Sequence, residues 1–210
     1  MDDIANRSLN PWVSMWTQPR TTIQQITCEN NQRPVLLLAA LLGFSQMLDR
    51  AGVLVLGGVQ TLPVLLVSAA ISGALVGITA LYVSGYLLYW TGKLIGGKGS
   101  ARDIRAAIAW SGIPIIWALL LLVPELILLG DAVFSADTPR EDAGAVFYSA
   151  YLMFYVIELI IGVWAFVLLL LCVAQVQDFS VSKALVNIII ASPAVIVLAL
   201  MLMAAVLLLI

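Results

Sequence analysis

The chain has 210 residues, of which 62% are hydrophobic and only 10% are charged, and its mean hydropathy is +1.07. An average soluble domain is about 45–50% apolar and about 25% charged, so these values exclude a soluble globular domain and a disordered chain. The formal net charge is only -2 and there is no lysine-rich tail, so nothing indicates a nucleic-acid partner. The composition indicates an all-α, polytopic membrane helix bundle whose main partner is the lipid bilayer.

Before the first apolar run lies an acidic and polar segment without the basic start and early apolar core of a cleaved signal peptide. Trp12 and Trp16 are four residues apart, and Arg20 follows them. Indole rings favour the headgroup level of a bilayer, where an arginine can reach lipid phosphate. We therefore expect residues 11–28 to form an interfacial anchor in two helical pieces, because Pro19 interrupts it. Docking of a cytosolic protein is the alternative use of this segment.

Residues 34–210 are predicted to form a five-span membrane domain, and residues 1–33 a cytoplasmic or interfacial segment. A helix needs about 20 apolar residues to cross about 30 Å of hydrocarbon. The charges of the chain then delimit five spans, at about 34–52, 62–91, 106–130, 145–174 and 184–208. The second and fourth exceed the required length, so we expect them to tilt or to project from the bilayer.

Basic residues predict the orientation, with the N-terminus in the cytoplasm and the C-terminus outside. Only Arg50 and Arg140 then fall outside, as the positive-inside rule requires. Dividing the uncharged run 51–92 into two spans would reverse this bias. The basic residues placed inside are Arg7, Arg20, Arg33, Lys93, Lys98, Arg102, Arg105 and Lys183.

The loop after the second span contains glycines and lysines that superficially match a nucleotide-binding GxxxxGK loop. No strand precedes it, and the hydroxyl comes one residue late, at Ser100, so we reject nucleotide binding. We expect a tight glycine turn and then a helix that Ser100 caps together with Asp103. The loop surface could contact lipid headgroups or a protein partner. The residues assigned to it are Gly96, Gly97, Lys98, Ser100, Arg102, Arg105 and Lys183.

Small residues recur along the second span. Gly73 and Gly77 form a GxxxG pattern, and Gly85 continues the series. Small residues let helix backbones approach closely in lipid. We expect these glycines to pack helices within the bundle, with a homo-oligomer interface as the alternative.

Ionisable groups also fall at membrane depth. Glu125 and Glu158 lie in the third and fourth spans, and Asp49 and Arg50 end the first. A charge at the bilayer centre costs about 2.5–3.5 kcal/mol even on the insertion scale. We predict that the four form an intramembrane polar cluster in which Arg50 pairs with at least one glutamate. The cluster could be a buried clamp, or it could be an ion or proton site.

Several kinds of chemistry are excluded. There is no histidine, and the two cysteines, Cys28 and Cys172, are far apart in the chain. A Ser-His-Asp triad, a histidine-ligated metal or haem, and a CxxC redox motif are therefore absent. We expect no catalytic residues, no cofactor and no metal.

Three segments carry a family resemblance: NPW…PR at 10–20, LIGGKGS at 94–100 with the RDIRAAIAWSGIP that follows it, and AQVQDFSVSKAL at 174–185. With them the chain resembles a bacterial member of the Yip family, the Ypt/Rab-interacting type of five-span membrane domain. The resemblance implies an all-helical domain in the bacterial cytoplasmic (inner) membrane. Its eukaryotic relatives act in vesicle trafficking and bind Rab GTPases.

Together these observations predict a non-enzymatic integral membrane protein that organises membrane or binds partner proteins through its cytoplasmic loops. The alternative is a small transporter or channel that uses Glu125 and Glu158 with Arg50.

Overall fold

The computed structural model describes residues 9–29, 33–53, 61–134 and 144–193, and all regular structure within these ranges is helical. This confirms that the described part of the chain is all-α, as predicted. Its α-helices are α1 Pro11–Ser14, α2 Pro19–Glu29, α3 Arg33–Val53, α4 Leu62–Leu94, α5 Ala101–Ser111, α6 Ile113–Ala118, α7 Leu122–Leu129, α8 Ala145–Gln177 and α9 Val181–Pro193.

In the described ranges four segments are long and apolar enough to cross a membrane: Pro34–Gly52, Leu62–Leu94, Ala101–Leu129 and Phe147–Gln177. The first has the predicted bounds, and the run that begins after it contains a single span, as predicted. Of the predicted fifth span the structure describes only the part within α9. The rest of it, and most of the acidic segment 131–144, lie outside the described residues.

Proline and glycine divide the third span into three helices. Gly112 forms the turn between α5 and α6, and Pro114 lies in the first turn of α6. A 3-10 segment, Leu119–Leu121, precedes α7, which contains Pro124. Proline has no N–H to donate and its ring crowds the preceding turn, so each proline lies close to an interruption of the helix.

The third span lies in the middle of the bundle. Helices α5 and α6 contact both α3 on one side and α8 on the other, and α4 packs against α3 and α5. The N-terminal helix α2 packs against α5 and α8. Helices α2, α3, α4 and α8 therefore each contact the interrupted span.

Glycines bring α3 and α4 into backbone contact. Gly43 of α3 lies against Gly73 and Gly77 of α4, and Gly77 also contacts the carbonyl of Ala39. A Cβ on Gly73 would lie 2.6 Å from the Cα of Phe44, which a packed backbone cannot accommodate. The GxxxG pattern is thus used within the chain.

The N-terminal segment packs more deeply than an interfacial anchor would. It is divided at Pro19, as predicted, but Met15 and Ile23 are fully buried in the core that α5 and α8 share. The expectation of a purely lipid-facing anchor is wrong in this respect. Met15 and Ile23 are apolar, and they pack between α5 and α8. The local sequence does not show which helices lie beside this segment.

The predicted anchor residues lie on the outer side of this segment. Trp12 is 36% exposed and stacks edge-to-face on Trp110 of α5, with ring centroids 5.9 Å apart. Trp16 is partly buried against the core, and Arg20 is exposed. Lipid contact by these three residues stays a prediction.

Candidate functional site

Helix α4 ends in the predicted glycine turn. Gly96 has φ +87°, a conformation that a side chain disfavours, and the N–H of Gly97 donates to the carbonyl of Gly92 at 2.7 Å. This bond satisfies a carbonyl of the last helical turn, which has no partner within the helix. The chain therefore reverses direction within a few residues of Leu94.

Helix α8 ends in a Schellman motif. Asp178 is left-handed, with φ 58°, and the N–H of Phe179 donates to the carbonyl of Ala174 at 2.8 Å. Aspartate tolerates this conformation better than most residues other than glycine. The turn leads directly into α9.

These two turns contact each other. The N–H of Lys98 donates to the carbonyl of Gln177 at 3.1 Å, and the ammonium of Lys98 lies 2.7 Å from a carboxylate oxygen of Asp178. A Cβ on Gly99 would lie 2.8 Å from the carbonyl oxygen of Val176. We call residues 95–100 and 178–180 the paired loops, because backbone and side-chain contacts join them.

The Lys98–Asp178 ion pair affects the pKa of both groups. The hydrogen bond and the charge of Lys98 hold the pKa of Asp178 below its ordinary value, and Asp178 likewise raises the pKa of Lys98. Both side chains are highly exposed, at 77% and 68%. Exposed pairs contribute little to stability, so the packing beneath this one matters more.

Gln177 fills a slot beneath the paired loops. Its side chain is fully buried and packs directly on Gly92 and Gly97, where any larger residue would occupy the same space. The amide nitrogen donates to the carbonyl of Leu88 at 3.1 Å, whereas the amide oxygen has no hydrogen-bond partner. Both glycines are therefore required for the glutamine to enter, and the glutamine fixes the loop on α4.

A second polar group from α9 joins this network. Asn187 is fully buried, and its amide nitrogen donates to the same Leu88 carbonyl at 3.2 Å. The hydroxyl of Thr91 donates to the amide oxygen of Asn187 at 2.6 Å. The polar contacts therefore link α4, α8 and α9 at the end of the bundle that carries the paired loops, which we call the loop end.

The glycine turn cannot cradle a phosphate in the manner of a nucleotide-binding loop. Such loops present free backbone N–H groups to the anion. Here the N–H groups of Gly96, Gly97 and Lys98 donate to the carbonyls of Lys93, Gly92 and Gln177. This agrees with the rejection of nucleotide binding from the sequence.

Lys183 lies beside the paired loops. Its ammonium stands 4.7 Å from the ring centroid of Phe179 and 3.8 Å from the position of a Cβ on Gly96. A cation above a ring face is attracted by the ring quadrupole. Lys183 therefore adds an exposed positive charge to the surface that Gly96 and Lys98 form, whereas Gly97 is buried beneath it.

The other residues assigned to the loop surface belong to α5. Ser100 and Asp103 form the predicted capping box at its start. Arg102 is partly buried in the first turn. Arg105 does not join the paired loops, because its side chain packs on Gly85 and its guanidinium stacks 4.7 Å from the ring of Tyr82.

The carboxyl groups of the intramembrane cluster approach one another. Glu125 is 7% exposed and lies within electrostatic range of both Glu158 and Asp49. Asp49 and Glu158 are exposed, and the polar cluster of these acids stays a prediction. Among the described residues no group of three or more histidine, cysteine or acidic side chains is arranged to hold a metal ion.

The predicted partner of these acids is wrong. Arg50 forms no ion pair with Glu125 or Glu158. Successive helical residues point about 100° apart, so Asp49 and Arg50 cannot both face the third span. Asp49 lies within electrostatic range of Glu125 and Glu158.

Sequence reasoning missed the polar network beneath the paired loops. Gln177, Asn187 and Thr91 are uncharged, so they did not interrupt the apolar runs that defined the spans. A buried amide within an apolar helix costs free energy unless it is hydrogen-bonded. The position of Asn187 in an otherwise apolar run was therefore the available signal.

A family model described as the Yip1 domain matches residues 13–204 of the chain. A search of curated proteins found no match, and a search of solved structures found none either.

Proposed function

Because this chain belongs to the Yip1 domain family, we propose that it is a non-enzymatic scaffold that binds a protein partner through the paired loops, on the cytoplasmic side of a bacterial inner membrane. The observation that carries the proposal is the junction of two loops that are distant in the chain. A glutamine slot, a backbone hydrogen bond and an ion pair hold them together. A surface of fixed shape loses little conformational entropy on binding.

The chemistry of the surface supports protein binding more than catalysis. Lys98, Asp178 and Lys183 are exposed and charged, and Gly96 is exposed beside them, whereas Gly97, which the sequence assigned to the same surface, is buried on Gln177. Such a surface offers charge complementarity, which determines specificity and association rate. The hydroxyl of Ser100, which lies beside the Asp103 carboxylate, is held in the capping box of α5.

Photo-crosslinking in intact membranes tests this proposal. A photoreactive amino acid at Ser182, which is exposed beside the paired loops, should yield one dominant protein adduct. The same probe at Thr61, which is exposed before α4 at the opposite end, is the matched control. K98Q/K183Q should abolish the Ser182 adduct without lowering the amount of protein. Identical adducts from both positions, or none from Ser182, would contradict the proposal.

A second candidate function is transport through the intramembrane cluster. The neighbourhood shared by Asp49, Glu125 and Glu158 supports it, because unpaired carboxyls at membrane depth are characteristic of ion and proton pathways. In sealed vesicles containing a pH-sensitive dye, the protein should carry a proton flux that E158Q abolishes. If the wild-type protein carries no flux, or if E158Q merely fails to accumulate, transport is excluded in favour of a structural role.

A further inference from the structure

One face of the bundle presents aromatic side chains that the paired loops do not use. Tyr82, Tyr86 and Trp90 recur every four residues along α4 and are 48%, 59% and 60% exposed. Residues four apart lie on one face of a helix. The three rings therefore form one aromatic stripe, which runs from the last turn of α4 towards the middle of the span.

Arg105 of α5 lies against this stripe in a defined position. Its Cγ would stand 2.5 Å from a Cβ on Gly85, so the side chain occupies space that only glycine leaves free. Its guanidinium carbon lies 4.7 Å from the centroid of the Tyr82 ring. Packing on one side and stacking on the other hold the guanidinium in place before any ligand binds.

The charge of Arg105 has no anionic partner within the described chain. No described residue forms an ion pair or a hydrogen bond with its guanidinium, which carries five N–H donors. Lys93 is similar, since its ammonium lies 5.5 Å from the ring of Tyr89 and pairs with no described carboxylate. The face therefore combines two cations with exposed rings and no acid to neutralise them.

The depth of Arg105 limits what can satisfy it. Gly85 lies nine residues before Leu94, the last residue of α4, which corresponds to about 13 Å of helix. The 33 residues of α4 extend about 50 Å against about 30 Å of hydrocarbon, so a centred helix projects about 10 Å at each end. Arg105 therefore lies close to the hydrocarbon boundary, where phospholipid phosphate is the nearest anion.

We propose that Arg105, seated on Gly85 and stacked on Tyr82, binds the phosphate of an anionic phospholipid whose acyl chains lie along the aromatic stripe. A guanidinium binds phosphate oxygens in a bidentate manner, which a lysine cannot reproduce. Basic sites between membrane helices are known to take anionic headgroups. Lys93 adds a second positive charge nearer the helix end. This site shares no residue with the paired loops, so its test is independent of the test of the proposed function.

Native mass spectrometry of delipidated, detergent-solubilised protein tests the proposal. The protein is titrated with phosphatidylglycerol, with phosphatidylcholine and with inorganic phosphate as separate probes. Phosphatidylglycerol should bind more tightly than phosphatidylcholine, and excess inorganic phosphate should not displace it. R105Q should weaken phosphatidylglycerol binding about 10-fold, because a charge-assisted hydrogen bond is lost. R105K should lie between R105Q and the wild type.

Further variants separate a specific site from general charge and from misfolding. K183Q removes the same charge at a distance from the stripe and should change phosphatidylglycerol affinity less than twofold. Y82L should weaken binding about threefold, whereas Y82F keeps the ring and should bind normally. Equal losses in R105Q and K183Q, equal affinity for the two lipids, or displacement by inorganic phosphate would each overturn the proposal. Thermal unfolding of every variant identifies any that fail to fold. If R105Q is one of them, the difference in phosphatidylglycerol affinity between Y82F and Y82L tests the proposal instead.

Discussion

Lys98 and Asp178 are eighty residues apart in the chain, and their side chains meet at 2.7 Å across two turns that end separate membrane helices. Beside them, the backbone N–H of Lys98 donates to the carbonyl of Gln177, and this bond does not involve the Lys98 side chain. The ion pair is therefore the exposed part of a larger junction. Its buried part is the Gln177 side chain, which packs where Gly92 and Gly97 leave room.

The slot predicts that G97A destabilises the protein. A Cβ at this position would overlap the Gln177 amide oxygen and lie 2.9 Å from Phe179, so the loop must shift. Overpacking of this kind costs about 1–3 kcal/mol. Thermal unfolding in detergent should show a lower midpoint for G97A. The matched control is G162A, because nothing lies within 4 Å of a Cβ there. Equal midpoints for G97A and wild type would refute the slot.

The contact of α3 with α4 predicts the effect of enlarging a glycine in the GxxxG pattern. In G77L the side chain would meet the backbone of Gly43 and Ala39, forcing the two helices apart. The variant should accumulate poorly and unfold at lower temperature, whereas L75A on the exposed face of the same helix should be nearly neutral. Size-exclusion chromatography checks the alternative role. Loss of a dimer in G77L, with the monomer still stable, would show that the pattern acts between copies.

The hydrogen bond between Thr91 and Asn187 predicts a coupling between α4 and α9. A double-mutant cycle with T91V and N187L measures this coupling. Each single variant already loses the bond, so the loss in the double variant should be smaller than the sum of the two single losses. Buried hydrogen bonds between membrane helices contribute about 0.6 and at most about 1.7 kcal/mol. We expect a coupling in that range from reversible unfolding in mixed micelles. Strict additivity would mean that the bond at 2.6 Å does not form in the membrane.

The ion pair predicts a pH dependence of a definite sign. The pKa of Asp178 is lower in the folded chain than in the unfolded one, so the pair stabilises above the ordinary aspartate pKa of about 3.9. That stabilisation disappears as the pH falls through the lowered value. Lys98 has a raised pKa, so its part is lost only above about pH 10.4.

The contribution of this pair to stability should therefore not change with pH between about pH 4 and pH 10. D178N should unfold at a slightly lower temperature than the wild type at pH 7, and the difference should vanish well below pH 3.9. Salt at 1 M should reduce the difference at pH 7, because exposed pairs are screened. Asparagine is the suitable replacement since it also tolerates the left-handed conformation at φ 58°. A difference that grows on acidification would contradict the assignment.

Much of the fold followed from local sequence. Apolar runs bounded by charges predicted the bounds of the first span and the single span after it, and Pro19 predicted the interruption of the N-terminal segment. These features depend on hydropathy and on the missing N–H of proline, both of which are properties of the residues themselves. The capping box of Ser100 and Asp103 was predictable for the same reason.

The candidate site was only partly predictable, because its contacts are between distant segments. The loop residues Gly96, Gly97 and Lys98 were identified, but their junction with Gln177 requires knowledge of how α4 and α8 pack. Similarly, whether Asp49 or Arg50 faces Glu125 depends on the rotation of α3. The sequence shows the rotation of a helix only through a difference between a polar and an apolar face. The residues around Asp49 and Arg50 are nearly all apolar, so they give little such difference.

The most direct test of the account is whether the paired loops touch in the native membrane. In a C28S background, the double variant K98C/D178C is treated in intact vesicles with a short bis-maleimide and analysed by mass spectrometry after digestion. The structure predicts an efficient intramolecular cross-link between positions 98 and 178, and none in the control K98C/T61C. If both cysteines are labelled singly but no cross-link forms between them, the two loops are separate and the proposed binding surface does not exist.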